Sequence, residues 1–373
     1  MTRPLPPQSS AEGTVGVEEE FLVVDAATRG PVPGADLVLP AAARLGAAVT
    51  GELTPMQVEL ITPVCTTLAE VGGALARGRL ALARAAASHG WRIAASGTPA
   101  LTSAGPPPLC ETPRYQALAD RFGSLVDEQG TCGLHIHVGV PDRDEAIRAC
   151  GHLRPWLACL LAISANSPFH AGRDTGYASW RAVVAGRWPT IGPPPVMDGL
   201  EGYHQAVGRL RHHGVAEGER DVYWWARPSA TYPTVEIRIA DTQPTVADTL
   251  LVAALARAAV LEALDAVRRG VRPPCLEDAE VNAMIWRAAR DGMAHPRTGD
   301  DPASAVAVRV QQLVRRLRPR LEQMGDLATV IRLRRRMCSL GTGADRQRAA
   351  VRQHGGLHAA VDAVIFPVTV QRQ

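Results

Sequence analysis

The chain has 373 residues, 46% of them hydrophobic, and 40 basic against 37 acidic side chains give a net charge of +3. So small a net charge provides no electrostatic footprint for nucleic acid. No apolar run approaches the roughly 20 residues of a membrane span, and the opening MTRPLPPQSSAEG lacks the apolar centre of a signal peptide, so a soluble, cytoplasmic protein with residues 1–13 as a disordered start is expected.

Every basic residue counted is arginine. The absence of lysine excludes a P-loop and the Schiff-base chemistry of pyridoxal phosphate enzymes, although a genome-wide bias against lysine codons is its simplest origin. Seven cysteines without a CxxC pair argue against a disulfide scaffold and against structural zinc.

In chain order, TVGVEEEFLVVD (14–25) alternates as a β-strand, with Glu18 and Glu20 on one face and Glu19 on the other with Val15, Val17, Phe21 and Val23. Two carboxylates on one sheet face repel unless a cation lies between them. That points to a divalent metal, with a solvated edge strand as the plainer alternative. A Pro/Gly-rich loop runs from about Ala26 to Pro40, followed by a short helical pattern. The segment TPMQVELITP predicts a strand whose Glu59 opposes Met56, Val58 and Leu60. Thr67 with Glu70 is a capping-box signature for a helix reaching His89, stopped by Gly90. WRIAASGTP is again a strand, and Thr112 with Pro113 opens a helix that ends near Gly130.

The strand TCGLHIHVGV puts His135 and His137 on one polar face, a pattern that fits hydrogen-bonded structural histidines and metal ligands equally. A helix from about Pro141 to Ser164 is expected to bend at Pro155, which removes a backbone donor. Residues 166–200 are dense in Gly, Pro, Arg and Trp. They read either as a surface loop with ordinary arginines or as a lid, over about Gly172 to Pro195, in which Arg173 and Arg181 clamp an acid substrate. In PTVEIRIADT, Glu236 and Arg238 oppose Val235, Ile237 and Ile239. The remainder is helical: one segment opens at Thr245 or Asp248 and runs through Val267, and another starts at Pro302.

Glu18, Glu20, Glu59, His135, His137, Glu236 and Arg238 can thus share the polar face of one sheet whose other face is apolar and covered by helices. Antiparallel sheets carry that asymmetry, whereas parallel ones are usually apolar on both sides. Strands spread from residue 14 to about 242 must fold together, so residues 14–373 are expected to form one α+β domain.

Six segments, GVEEEF (16–21), VELITP (58–63), HIHVGV (135–140), SPFHAGRDTGYASWR (167–181), RPSATYPTVEIRIAD (227–241) and GTGADRQR (341–348), together resemble the carboxylate-amine ligases of the glutamate-cysteine ligase type 2 group, relatives of glutamine synthetase. The resemblance implies a curved antiparallel sheet whose concave polar face holds ATP and two or three Mg2+ or Mn2+ ions. It implies transfer of the γ-phosphoryl group to a substrate carboxylate and attack of an amine on the acyl phosphate, with glutamate and cysteine in the type reaction. By similarity, Glu18 and Glu20 anchor different metals, Glu59 completes one site, and His135 with Glu236 completes another. Arg238 and Arg227 bind ATP, with Arg238 and Glu236 catalytic. Trp225 departs from the pattern, standing where the family favours an acid. A divalent-metal hydrolase using the HxH pair and a catalytically silent nucleotide-binding relative stay open as alternatives, and a homodimer is compatible with all three.

Overall fold

The computed structural model describes residues 11–101, 106–294 and 306–368. Most of the N-terminal segment expected to be disordered, and the start of the helix expected from Pro302, lie outside these ranges.

Among the described residues, seven strands form one antiparallel sheet: β1 (Val15–Asp25), β2 (Val49–Gly51), β3 (Gln57–Ile61), β4 (Trp91–Ala94), β5 (Gly133–Gly139), and, after a separate two-stranded hairpin of β6 (Phe169–His170) and β7 (Arg173–Asp174), β8 (Ala226–Pro228) and β9 (Thr234–Asp241). Their order is β2-β3-β1-β5-β9-β8, with β4 paired to the C-terminal half of β1. The fold class is therefore α+β, and one sheet draws strands from most of the chain.

The alternation read in the sequence decides the two faces. Val17, Phe21, Val58, Leu60, Leu134, Ile136, Val235 and Ile237 are all buried in the main core against the helices Leu68–Ala87, Arg143–Leu153, Leu157–Ser164 and Val246–Arg268. Each such side chain contributes about 1.5–3 kcal/mol on burial. The helix Leu68–Ala87 starts at the predicted capping box on Thr67 and Glu70, and Val246–Arg268 starts at an N-cap on Thr245. Pro155 interrupts its helix as expected: a 3-10 turn, Arg154–Trp156, separates Arg143–Leu153 from Leu157–Ser164.

Two expectations shift. Pro40 lies inside a helix, Ala35–Arg44, that begins within the expected loop, because burial of Ala35, Val38 and Ala42 outweighs the one backbone donor that proline lacks. The helix opened by Thr112 is broken at Gly123, whose φ of 53° is one a glycine adopts freely, giving Pro113–Phe122 and Ser124–Asp127. Among the described residues, no helix is long and apolar enough to cross a membrane.

Candidate active site

The polar face of the sheet forms the floor of a cleft of about 320 Å³. Strand register brings its charged residues together: Glu20 faces Glu59 across β1 and β3, Glu18 faces His135 across β1 and β5, His137 faces Glu236 across β5 and β9, and Arg227 faces Glu236 across β8 and β9. All of these, with Arg238, line the cleft.

Among the described residues, three groups of donor atoms, each within 4.8 Å of one another, lie on this floor: Glu18 with Glu59 and His135; Glu18 with His137 and Glu236; and Glu20 with Glu52 and Glu59. Glu18 and Glu59 are each shared by two groups. The register thus pairs His137, rather than His135, with Glu236. An irregularity between Leu134 and Ile136 leaves His135 without a β9 partner, and its Nδ1 instead lies 3.2 Å from a Glu18 oxygen. The two imidazoles of the HxH pair belong to different groups.

Burial and like charge oppose ionisation here. Burial, then Glu18 and Glu52, push the Glu59 carboxyl well above the usual range, and burial together with Glu20 pushes Glu52 up to about 8. Burial likewise opposes the Glu18 charge, but His137 and His135 outweigh it and hold Glu18 low. For Glu236 the balance is burial against Arg238, His137 and Arg227, and the cations win. His137 is raised, because Glu18 and Glu236 outweigh burial, whereas burial and Arg238 lower His135.

The donor chemistry fits Mg2+ or Mn2+: carboxylate oxygens with one imidazole in each of two groups, and mutual repulsion that a divalent cation would relieve. A buried orphan supports the fit. His137 donates or accepts through Nδ1 with the Thr234 hydroxyl at 3.0 Å, yet its Nε2 has no hydrogen-bond partner and lies 3.4 Å from Glu18.

Glu236 pairs with Arg238 and, at 2.9 Å, with Arg227 Nε, so one carboxylate fixes two guanidinium groups at the cleft floor. Tyr223 supports both, its ring centre lying 5.8 Å from the Arg238 guanidinium carbon and 5.9 Å from that of Arg227. Trp225 is buried in the cleft wall; its N–H donates to Gly192 O, and its carbonyl accepts from Arg238 N–H.

The arginine-rich segment divides. Arg181 lines the cleft but is buried and committed: it donates to the carbonyls of Ile239 at 3.3 Å and Arg238 at 3.2 Å and lies 3.9 Å from Asp241. It fills the space above Gly133 that any β-carbon there would occupy. Arg173 is exposed on the β6-β7 hairpin and is not among the residues that line the cleft, and Arg187 pairs with Glu128. Much of the expected lid is packed as a wall, with Trp188 edge-on to Phe122 at 4.7 Å and Pro194 O held by the buried Arg154.

Sequence reasoning passed over Glu52, Arg114, Tyr115 and Tyr223, all of which line the cleft. Glu52 lies seven residues before Glu59, between β2 and β3, where no period-two pattern assigns a face. Arg114 and Tyr115 sit at the start of a helix recognised only by its cap.

A family model described as glutamate-cysteine ligase family 2 matches residues 14–363. The chain belongs to this family. A Saccharopolyspora erythraea relative, provisionally named glutamate–cysteine ligase 2-1, is 41% identical over 354 residues, covering 94% of each chain. A similarly named Mycobacterium sp. (strain KMS) protein is 42% identical over 360 residues, covering 95% of this chain and 98% of its own. Among solved structures, a glutamate–cysteine ligase from Francisella tularensis in complex with AMP matches with a TM-score of 0.66 at 13% identity, over 94% of this chain and 87% of that one. A bifunctional glutathione synthetase from Pasteurella multocida matches with a TM-score of 0.67 at 16% identity, over 95% of this chain; the family 2 chain spans about half of it, 52%. At such identities the likeness to solved structures is one of fold.

Proposed function

We propose that this glutamate-cysteine ligase family 2 chain is an ATP-dependent carboxylate–amine ligase that activates a small acid as an acyl phosphate and joins it to an amine, with glutamate and cysteine as the leading pair. One observation carries the reading: three donor groups, linked to one another through Glu18 and Glu59, line the same cleft as Arg238, and that cleft is open to small molecules.

Glu18, Glu20, Glu52, Glu59, His135, His137 and Glu236 are the residues that would hold Mg2+ or Mn2+, ions that bridge phosphate oxygens and offset the charge accumulating in phosphoryl transfer. Arg238 and Arg227 supply forked donors for phosphate, in a chain with no lysine to do so. Glu236 holds both forks in place. Trp188, Ile191, Leu118 and Trp225 wall the cleft with apolar surface, which keeps water from an acyl phosphate. Residues 14–373 act as one catalytic unit in this reading, and the cytoplasm, where ATP is available, is the site of action. A hydrolase using the HxH pair is disfavoured because His135 and His137 do not share a donor group.

The test is ADP release from ATP by the purified protein with Mg2+ and a panel of acids and amines. ADP and amide formed together, and only with acid and amine both present, are the expected result. Nucleotide binding with no turnover for any pair would instead identify a silent relative.

A further inference from the structure

Two of the sequence motifs, residues 167–181 and 341–348, converge on a buried polar cluster around Asp241. This carboxylate, fully buried at the end of β9, accepts from the Asn166 N–H at 2.9 Å, the Ser167 hydroxyl at 2.7 Å and the Ser179 hydroxyl at 2.8 Å. Asn166 is held in turn by the Gln347 amide, which donates to its carbonyl and its side-chain oxygen, and Gly343 leaves it room, since a β-carbon there would strike the Asn166 side chain. Ser179 caps the helix Trp180–Ala185, so the cluster fixes where Arg181 leaves the backbone. The Arg181 guanidinium lies 3.9 Å from Asp241, donates to the Arg238 and Ile239 carbonyls and covers Gly133. Gly133 stands opposite Asp241 in the register of β5 and β9, and its N–H donates to Glu20 Oε2 at 2.5 Å.

Resting on the ligase reading above, we propose that Asp241 is a positioning residue for the reaction: through Arg181 it sets the Gly133 N–H that orients Glu20 and the stretch of β9 that carries Arg238. Glu20 belongs with Glu52 and Glu59 to one of the donor groups that would hold Mg2+ or Mn2+, and a carboxylate already turned toward its cation binds it better than one free to choose its rotamer. An arginine suits the task because its planar fork serves two carbonyls while facing a carboxylate, and burial of Arg181 and Asp241 strengthens each of these contacts. Arg181 thereby supports the cleft floor instead of clamping the acid substrate.

Mn2+ binding, followed by loss of the free-ion electron paramagnetic resonance signal, reads the effect without turnover. Asp241→Asn keeps the size of the side chain but removes its charge and one of its two acceptor oxygens. Arg181→Lys keeps a charge but not the fork, and Gly133→Ala puts a β-carbon where the Arg181 guanidinium lies while leaving Asp241 intact. Each is expected to raise Kd about 10- to 100-fold at the Mn2+ site that Glu20→Gln also weakens, and to lower kcat for ADP release by a similar factor. Because Asp241 acts through Arg181, Asp241→Asn combined with Arg181→Lys should lie within about twofold of the more damaged single variant instead of showing the product of the two losses. A merely structural role would lower the melting temperature and leave the Mn2+ affinity of the folded protein as in wild type. Wild-type Mn2+ affinity in Gly133→Ala and Arg181→Lys would overturn the proposal, and so would multiplied losses in the double variant. If Asp241→Asn does not fold, those two single variants decide the matter. Mn2+ binding by the wild type with no turnover for any acid and amine would refute the ligase reading, while the Mn2+ comparison still tests the role of Asp241.

Discussion

Glu19 and Arg79 form a two-pronged ion pair buried on the face of β1 opposite Glu18 and Glu20. Further contacts hold the pair: the Thr249 hydroxyl donates to Glu19 at 2.6 Å, Arg79 donates to Gln243 O at 3.0 Å, and the guanidinium lies 4.7 Å from the Phe366 ring centre. A one-residue slip of β1 would bury Glu18 and Glu20 and send Glu19 into the cleft. The middle acid of the run is thus structural and its neighbours are exposed to the site.

Removing one partner of that pair leaves a buried charge uncompensated, whereas replacing both with apolar side chains removes the desolvation penalty as well. Arg79→Met is expected to lose about 3–5 kcal/mol of unfolding free energy. Combined with Glu19→Leu it should recover most of that loss. Denaturant unfolding of both variants measures this, and a double variant no more stable than the single one would count against the pair as described.

Glu18→Gln and Glu20→Gln should leave the protein folded, since each removes charge from a mutually repelling cluster, yet reduce turnover about 100-fold or more. The loss comes from donor groups that Glu18 and Glu20 belong to. Turnover near wild type at saturating Mg2+ for either variant would remove that carboxylate from the metal assignment.

Acidity gives an independent handle on the metal-free protein. Burial and Glu20 hold the Glu52 proton up to about 8, against 4.5 for an ordinary glutamate. Between those limits the folded chain binds more protons than the unfolded one, so this contribution to stability is complete below the lower value and lost as pH rises through the upper. Melting temperature in chelator should therefore fall from about pH 5 to about pH 8, and Glu52→Gln should flatten the decline. Metal binding must displace these protons, so Mg2+ affinity should rise over the same interval.

Arg238→Lys should be a poor substitute. A lysine offers a point charge where Arg238 offers parallel donors, and it would sit beside Glu236 without sharing it with Arg227 in the same geometry. The expected loss in kcat is about 10- to 100-fold, measured by ADP release; an unchanged kcat and KM for ATP would exclude contact with phosphate.

The period of two made the cleft floor legible before any coordinates: Glu18, Glu20, Glu59, His135, His137, Glu236 and Arg238 sit on strands, where alternation fixes the face. How the donors group was not legible, because it depends on cross-strand register, and the irregularity in β5 that separates His135 from Glu236 leaves no sequence signal. Composition also could not separate the arginines of residues 166–200. Arg181 is turned inward by the helix capped at Ser179 and by Asp241, while Arg173 is turned outward by the hairpin. Glu52 and Arg114 come from a connection and a helix start that only tertiary packing brings to the cleft.

The central claim is that the cleft activates a carboxylate by phosphorylation. It is tested most directly by supplying the acid with ¹⁸O in its carboxylates, together with ATP and the amine, and analysing the released phosphate by mass spectrometry. Passage through an acyl phosphate transfers one carboxylate oxygen to phosphate when the amine displaces it, so one ¹⁸O per amide formed is predicted. Amide formation with unlabelled phosphate, or ADP release that is indifferent to the acid, would contradict it.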